Sequence, residues 1–326
     1  MADPATPRIT VLGSLNIDLV SYVPHHPLPG ETLTASSFAV SPGGKGANQA
    51  VACAKLSMNR KTGTSSAKVY MVGSVGDDSY GDLLRSNLSR NGVVVEGGVA
   101  VKKGLKTGIA IIVVDEPTGQ NRIILSPEAN HSLRPEDFTV ERFDESLGAG
   151  TKPDLLILQL EIPLETVLKV IETARTKEVK VLLNPAPAVK LPDWVYDGLE
   201  HLVVNETEAA ILSGVEESVL DSEEGMEKVS RGFVVKGVKN VIITLGGRGV
   251  YYMSSSGTKG LVPAEKAKVV DTTAAGDTAV GQYALEAVQK GPFDIEAAVR
   301  KANRAGAKTV ERLGAQDSIP YGDEFE

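Results

Sequence analysis

The chain has 326 residues, about twice the ~150 that serve as a prior for one domain, so one large α/β unit with an appendage and a pair of domains are both open. Hydrophobic residues make up 42% and charged residues 23%, which excludes a disordered, collagen-like or coiled-coil chain. With 34 Lys+Arg against 42 Asp+Glu the formal charge is −8, which opposes general attraction to nucleic acid or an anionic membrane, and the single Cys53 can form neither an internal disulfide nor a multi-thiolate metal site.

The opening MADPATPRITVLG has no basic stretch followed by an apolar one, and no apolar run approaches the ~18 residues of a membrane span. A cytoplasmic protein is expected, with nuclear entry left open. His25, His26, His131 and His201 have no i, i+4 pairing of the kind that holds zinc on a helix. Along the chain, ITVLG (9–13) reads as the first strand, residues 19–42 as a β-ribbon, and 41–56 as a glycine-rich turn entering an alanine-rich helix. A polar surface loop (59–67), a strand (69–73), a helix from Asp78 to Asn91 stopped by Gly92, and a second ribbon (107–125) with an EPTGQN turn follow. Beyond it, strands at 155–160, 179–184, 201–205 and 240–246 alternate with helices at 164–177, 206–213 and 275–289.

The strand runs are short, β-branched and nearly continuous, as in a parallel sheet covered on both faces. The expected fold is a doubly wound, mostly parallel α/β sheet flanked by helices, with ligands gathering beyond the carboxyl ends of the strands. The two ribbons lack intervening helices and predict a small inserted β-sheet, either a lid, a dimer surface or an extra edge. The body is then 1–18, 43–106 and 126–326, and the lid 19–42 and 107–125.

The sharpest stretch is VVDTTAAGDTAVGQYALEAV at 269–288. Asp271, Thr272 and Thr273 are cap-type side chains, so a helix is expected to begin near Ala274. The amides of Ala274, Ala275 and Gly276 would then lack intrahelical partners and form an anion hole at the positive end of the helix dipole. Asp277, in the first turn, can accept a proton from a hydroxyl attacking an adjacent phosphoryl group, although an acidic residue there is also stabilising for dipole reasons alone.

In SPGGKGANQAVACAKL (41–56), Lys45 is followed by glycine rather than Ser or Thr, so this is not a P-loop, and the dinucleotide fingerprint fails as well. Gly44 with exposed amides, Lys45 and Asn48 suits close contact with a hydroxylated ligand, or is a plain tight connection. Asn16 and Asp18 in GSLNID share one side of an extended segment and can grip a polyol; Glu161 ends a strand where acidic side chains tend to face a ligand. Asn205 and Glu208 in NETE read equally as a capped helix start, and Thr244, Gly246 and Gly247 in ITLGGRG equally as a hairpin turn.

VLGSLNID, GGKGANQA, QLE, LNPAPA, NETE, ITLGGRG, DTTAAGDTAVG and GAQDSIP, in this order over nearly the whole chain, resemble the sugar-kinase family that includes ribokinase, fructokinase and adenosine kinase. GGKGANQA, LNPAPA and the AAGD turn are most similar to its ribose-phosphorylating members. The resemblance implies transfer of the γ-phosphoryl group of ATP to the 5-hydroxyl of D-ribose. It assigns the sugar to Asn16, Asp18, Gly44, Lys45, Asn48 and Glu161, the base to Asp277, and the anion hole to Ala274, Ala275 and Gly276. Asn205, Thr244, Gly246 and Gly247 would run along the nucleotide, Asn303 of KANRAGA would lie near the adenine, and Glu208 would organise Mg²⁺ through water. A K⁺ activator is implied at Asp271 and Thr273, with Thr309, Arg312, Gly314 and Ser318 matching by position. A homodimer joined through the lid is implied too.

Two positions depart from the family pattern: Ala279 stands where an aromatic is usual, predicting looser packing, and Glu128 where a glycine is common, predicting a rearranged loop. The competing readings are a kinase for another pentose, deoxyribose or a nucleoside, and a non-catalytic sugar sensor. Nucleosides need an apolar cradle, and aromatic residues are only 5% of the chain, with Tyr22 and Phe38 the candidates in the lid. A dinucleotide-dependent oxidoreductase requires GxGxxG after the first strand, where GSLNID stands.

Overall fold

The apolar runs assemble into one sheet in the computed structural model, which describes residues 6–148 and 150–325. Residues 1–5, where the first expected body segment starts, lie outside the described residues. In chain order the elements are β1 (Arg8–Leu12), β2 (Asn16–Val23), β3 (Ser37–Gly43), α1 (Lys45–Ser57), β4 (Met58–Asn59), β5 (Thr64–Ser65), β6 (Lys68–Gly76), α2 (Ser79–Arg90), β7 (Val99–Lys102), β8 (Gly108–Asp115) and β9 (Asn121–Ser126). There follow α3 (Phe143–Ser146), β10 (Leu155–Leu158), α4 (Leu164–Thr176), β11 (Val181–Leu183), β12 (His201–Asn205), α5 (Glu206–Ser213) and α6 (Glu223–Val235). The chain continues through β13 (Asn240–Thr244), β14 (Val250–Ser254), β15 (Lys259–Val262), α7 (Ala275–Ala287) and α8 (Ile295–Thr309).

The main sheet has the order β15-β14-β13-β12-β11-β10-β1-β6-β7. All its pairs from β7 to β13 are parallel, while β14 and β15 are added antiparallel at one edge. Successive side chains alternate between two cores: Ile9, Val11 and Ile157 pack with the apolar sides of α1, α7 and α8, whereas Leu12, Leu156 and Leu158 pack with those of α4 and α6. Helix α2 starts on a side-chain cap, Asp78 accepting from the Gly81 amide at 2.9 Å, whereas α7, for which Asp271, Thr272 and Thr273 are the expected cap residues, has Ala274 as its N-cap with no side-chain hydrogen bond. The two ribbons join as a separate sheet of order β3-β2-β8-β9, in which β2 and β8 run parallel and the outer pairs antiparallel. Its first strand starts at Asn16, so the polar residues of GSLNID are carried by this sheet.

Glu128 adopts φ 47°, the left-handed conformation that explains a glycine preference here. Glu128 takes the left-handed geometry itself and leads into a 3₁₀ turn, Glu128–Ser132. Glu128→Gly is expected to raise the melting temperature, the relief of roughly 1–2 kcal/mol of left-handed strain being partly offset by glycine's backbone entropy. Thermal denaturation by circular dichroism checks it. Ala279 faces Gly306 of α8, where an added methyl would stand 4.0 Å from the Ala279 methyl and 3.4 Å from the Ala275 carbonyl oxygen. α8 thus comes within van der Waals reach of α7 at this position.

Candidate active site

Strand order reverses at β1, which has β6 on one side and β10 on the other, so a crevice opens beyond their carboxyl ends. Ser14, just past β1, donates its hydroxyl to Glu161 Oε2 at 2.5 Å, and the Lys45 amide donates to the same oxygen at 3.0 Å. The GGKG glycines permit this closure. Gly44 caps α1 at φ 87°, and a methyl there would lie 2.8 Å from the Asn16 nitrogen; one on Gly46 would lie 2.6 Å from the Ser14 nitrogen.

Asn16 and Asp18 leave β2 on one side, as their spacing requires. Asn16 Oδ1 accepts from Asn130 Nδ2 at 2.8 Å, and Asn130 also accepts from the Leu15 amide and donates to its carbonyl. Burial first, and then the charges of Glu161 and Asp277, push the Asp18 carboxyl up to about 7. Burial acts against the charge of Lys45, yet Asp277, Glu161 and Glu208 together hold its ammonium above the usual lysine range. These groups therefore share one electrostatic pocket. Asp277 is buried and accepts from Asn48 Nδ2 at 3.1 Å and Gln49 Nε2 at 2.9 Å.

Helix α7 begins as the sequence predicts. Ala274, its N-cap, has φ 59°, and the Ala275 amide donates to the Thr272 carbonyl at 3.3 Å. Among the described residues no protein acceptor meets the Ala274, Gly276 and Asp277 amides, so the free donors include Ala274 and Gly276 of the expected three and extend to Asp277, while Ala275 is the one engaged. A methyl on Gly276 would meet nothing within 4 Å, so this end of the helix is open. Small residues and an unusual cap leave the helix end accessible, at the cost of a residue in a sparsely populated conformation.

A cleft of about 220 Å³ joins this helix end to the crevice, lined by Lys45, Glu208, Thr244, Ala274, Gly276 and Asp277 among others. Asn205 and Glu208 form the capping box of α5: Glu208 N donates to Asn205 Oδ1 at 2.7 Å, and Asn205 N donates to Glu208 Oε2 at 2.9 Å. Both also line the cleft, so the ordinary and functional readings of NETE hold together. Burial pushes the Glu208 carboxyl up, helped by Asp277 and opposed by the Asn205 amide and Lys45. Thr244 donates to the Val204 carbonyl at 3.3 Å, and Gly246 (φ 53°) and Gly247 form the turn between β13 and β14, facing open space.

Other expected positions fall differently. Asn303 Nδ2 donates to the Pro263 carbonyl at 2.7 Å and does not line the cleft. Asp271 accepts from the amide and hydroxyl of Thr273 and from the Gly314 amide, bringing the two halves of the expected cation site together. Thr309 and Ser318, however, donate their hydroxyls to Ala305 or Thr278 and to Ala315, and Arg312 pairs with Glu324. Their side chains serve helix ends and the terminal segment. His201 lies elsewhere, bonded to Tyr283 and pushed down to about 3 by burial. Gln49, Asn130, Gln159, Asn184 and Gln316 escaped sequence reasoning. Gln49 and Gln159 do lie inside the ANQA and QLE motifs, and the i, i+2 spacing of Gln159 and Glu161 was the one available signal.

A parallel sheet with a ligand crevice at its reversal point, bordered by carboxylates and a free helix end, defines a ribokinase-like α/β protein. The sequence matches the pfkB family carbohydrate kinase over residues 6–321, and the chain belongs to that family. It is 42% identical over 319 residues to ribokinase of Schizosaccharomyces pombe (96% of this chain, 95% of the relative). It is 38% identical to deoxyribokinase of Salmonella typhi, covering 97% of each. The solved ribokinase of Arabidopsis thaliana complexed with ribose and ATP superposes with TM-score 0.81 at 29% identity, covering 97% of this chain and 96% of that one.

Proposed function

We propose that the protein transfers the γ-phosphoryl group of ATP to the 5-hydroxyl of D-ribose, giving D-ribose 5-phosphate and ADP. The observation that carries this reading is the convergence of Asp18, Glu161, Lys45 and Asp277 on one pocket at the open end of α7. Relatives and a solved neighbour named as ribokinase support the substrates.

In this reading Asn16, Asp18, Gly44, Lys45, Asn48 and Glu161 hold the sugar, with ionised carboxylates accepting from its hydroxyls. The 5-oxygen forms a bond to the γ-phosphorus, the bond from that phosphorus to the β–γ bridging oxygen breaks, and the hydroxyl proton passes to Asp277. The Ala274, Gly276 and Asp277 amides and Lys45 stabilise the charge on the transferring group. Asn205, Thr244, Gly246 and Gly247 border the nucleotide. Glu208 fits Mg²⁺, which takes oxygen donors and neutralises phosphate charge, because its carboxylate lines the cleft. Asp271 with Thr273 and the Gly314 loop is the proposed frame for K⁺. The lid carries Phe38, Ile123 and Ile124 each more than half exposed, an apolar surface that a second copy of the chain would cover.

ADP release measured with Mg-ATP and D-ribose, 2-deoxyribose, other pentoses or nucleosides, with and without K⁺, tests the assignment. D-ribose is expected to give the highest kcat/KM, and K⁺ to raise it. A higher value for 2-deoxyribose or a nucleoside would replace ribose as the acceptor, and no sugar-dependent ADP would leave a sensor.

A further inference from the structure

Gln49 and Gln159 are fully buried beside the proposed base. Gln159 Nε2 donates to Gln49 Oε1 at 2.6 Å, and Gln49 Nε2 donates both to Asp277 Oδ1 and to Asn184 Oδ1, each at 2.9 Å. Asn184 Nδ2 in turn donates to the Val203 carbonyl at 2.9 Å. The direction of this chain is dictated by chemistry, because an ionised carboxylate only accepts. Gln49 must offer its amide nitrogen to Asp277, its oxygen then faces Gln159, and Gln159 must offer its nitrogen in turn. Gln159 Oε1 is consequently left without a hydrogen-bond partner among the described residues. It packs against Gly13, where any added methyl would overlap it.

An unpaired buried acceptor is destabilising, and two apolar side chains could fill the same space without it. Its retention is accounted for by what the chain holds at the other end. The second carboxylate oxygen, Oδ2, accepts from Asn48 Nδ2; Asn48 Oδ1 accepts from Gln316 Nε2 at 3.0 Å, and Gln316 Oε1 from Asn87 Nδ2 at 2.6 Å. Each oxygen of Asp277 thus has one neutral amide donor backed by a further amide, and the plane of the carboxylate is set from both sides.

We propose that Gln49 and Gln159 are positioning residues, a one-directional amide chain that orients Asp277 so that its remaining lone pairs face the attacking hydroxyl. This rests on the reading of Asp277 as the base and adds the residues that aim it. Orientation affects the reaction step more than sugar binding, since misplacing a reacting group costs rate.

The test compares kcat, the KM for D-ribose and the pH dependence of kcat in Gln49→Met, Gln49→Glu, Gln159→Met and Asp277→Asn, with folding checked by thermal denaturation. Gln49→Met is expected to lower kcat by about 10–100-fold with ribose KM changed by less than about threefold, and Gln159→Met to do the same more weakly. Gln49→Glu places a second carboxyl against Asp277, so the acid limb of kcat should move up by about one pH unit or more. Parental kcat and an unmoved acid limb in the Gln49 variants, with Asp277→Asn inactive, would overturn the inference alone. A rise in KM matching the loss of kcat in the Met variants, or an unmoved acid limb in Gln49→Glu, marks a merely structural role and overturns it as well. Full turnover by Asp277→Asn would remove the base assignment and the inference together. If Gln49→Met does not fold, Gln159→Met and Gln49→Glu decide.

Discussion

Asp277→Asn will lower kcat by about 10²–10⁴-fold, the range that a positioned general base contributes, while the KM values for ribose and ATP change far less. The asymmetry follows from the position of the side chain. Asp277 stands at the third residue of α7, where its own amide and that of Gly276 are free for the phosphoryl group. An asparagine keeps the volume and leaves those amides in place, so nucleotide and sugar still bind, but it cannot take the hydroxyl proton. One end of the new amide also faces a donor from Asn48 or Gln49, a local mismatch that circular dichroism and thermal denaturation will register as a modest loss of stability. Steady-state kinetics at saturating ribose check the main claim; parental kcat would sink it.

Asp18 gives the second large effect. Asp18→Ala should raise the ribose KM by about 10²-fold or more, because sugar hydroxyls lose an acceptor in a pocket built to match them. The free protein holds this carboxyl near 7, chiefly through burial and then through the charges of Glu161 and Asp277. As pH falls through about 7 the site gains a proton and loses acceptor capacity, and kcat/KM for ribose should decline on that limb. Asp18→Asn should flatten it. The stability linkage has the opposite sense. A carboxyl whose folded pKa lies above its unfolded value favours the folded state while it is protonated, at low pH, and this contribution is lost as pH rises from about 4 through about 7. Asp18→Asn should therefore melt above the parent at pH 8, with a smaller difference at pH 5. Thermal denaturation at the two pH values checks it, and a variant that melts below the parent at pH 8 would contradict the buried-charge account.

The parallel body was readable because strands buried on both faces must be continuously apolar, and ITVLG, LLILQL and HLVVN carry that pattern without interruption. The antiparallel edge, β14 and β15, was not read as strand. VYYMS follows a glycine-rich turn that suited a plain hairpin, and KGLV is short and polar at its start. Among site residues, those with charge or unusual glycine spacing announced themselves: Asp18, Lys45, Glu161 and Asp277 lie where the reversal of strand order gathers loop ends. The amides did not. Gln49, Asn130 and Gln159 carry no charge, and they acquire a role only when tertiary contacts place Gln49 against Asp277, Asn130 against Asn16 and Gln159 against Gln49. Thr309 and Ser318 show the converse, since a matching position did not reveal that their hydroxyls donate to nearby helix and loop carbonyls.

The central claim is that the crevice presents the 5-hydroxyl of a pentose to a phosphoryl group held at the start of α7. Carbon-13 NMR of the product formed from uniformly labelled D-ribose and Mg-ATP tests it most directly. The account predicts phosphorus coupling at C5 and its neighbour C4, with ADP formed in equal amount; coupling centred on C1, or ADP formed with no labelled sugar phosphate, would contradict it.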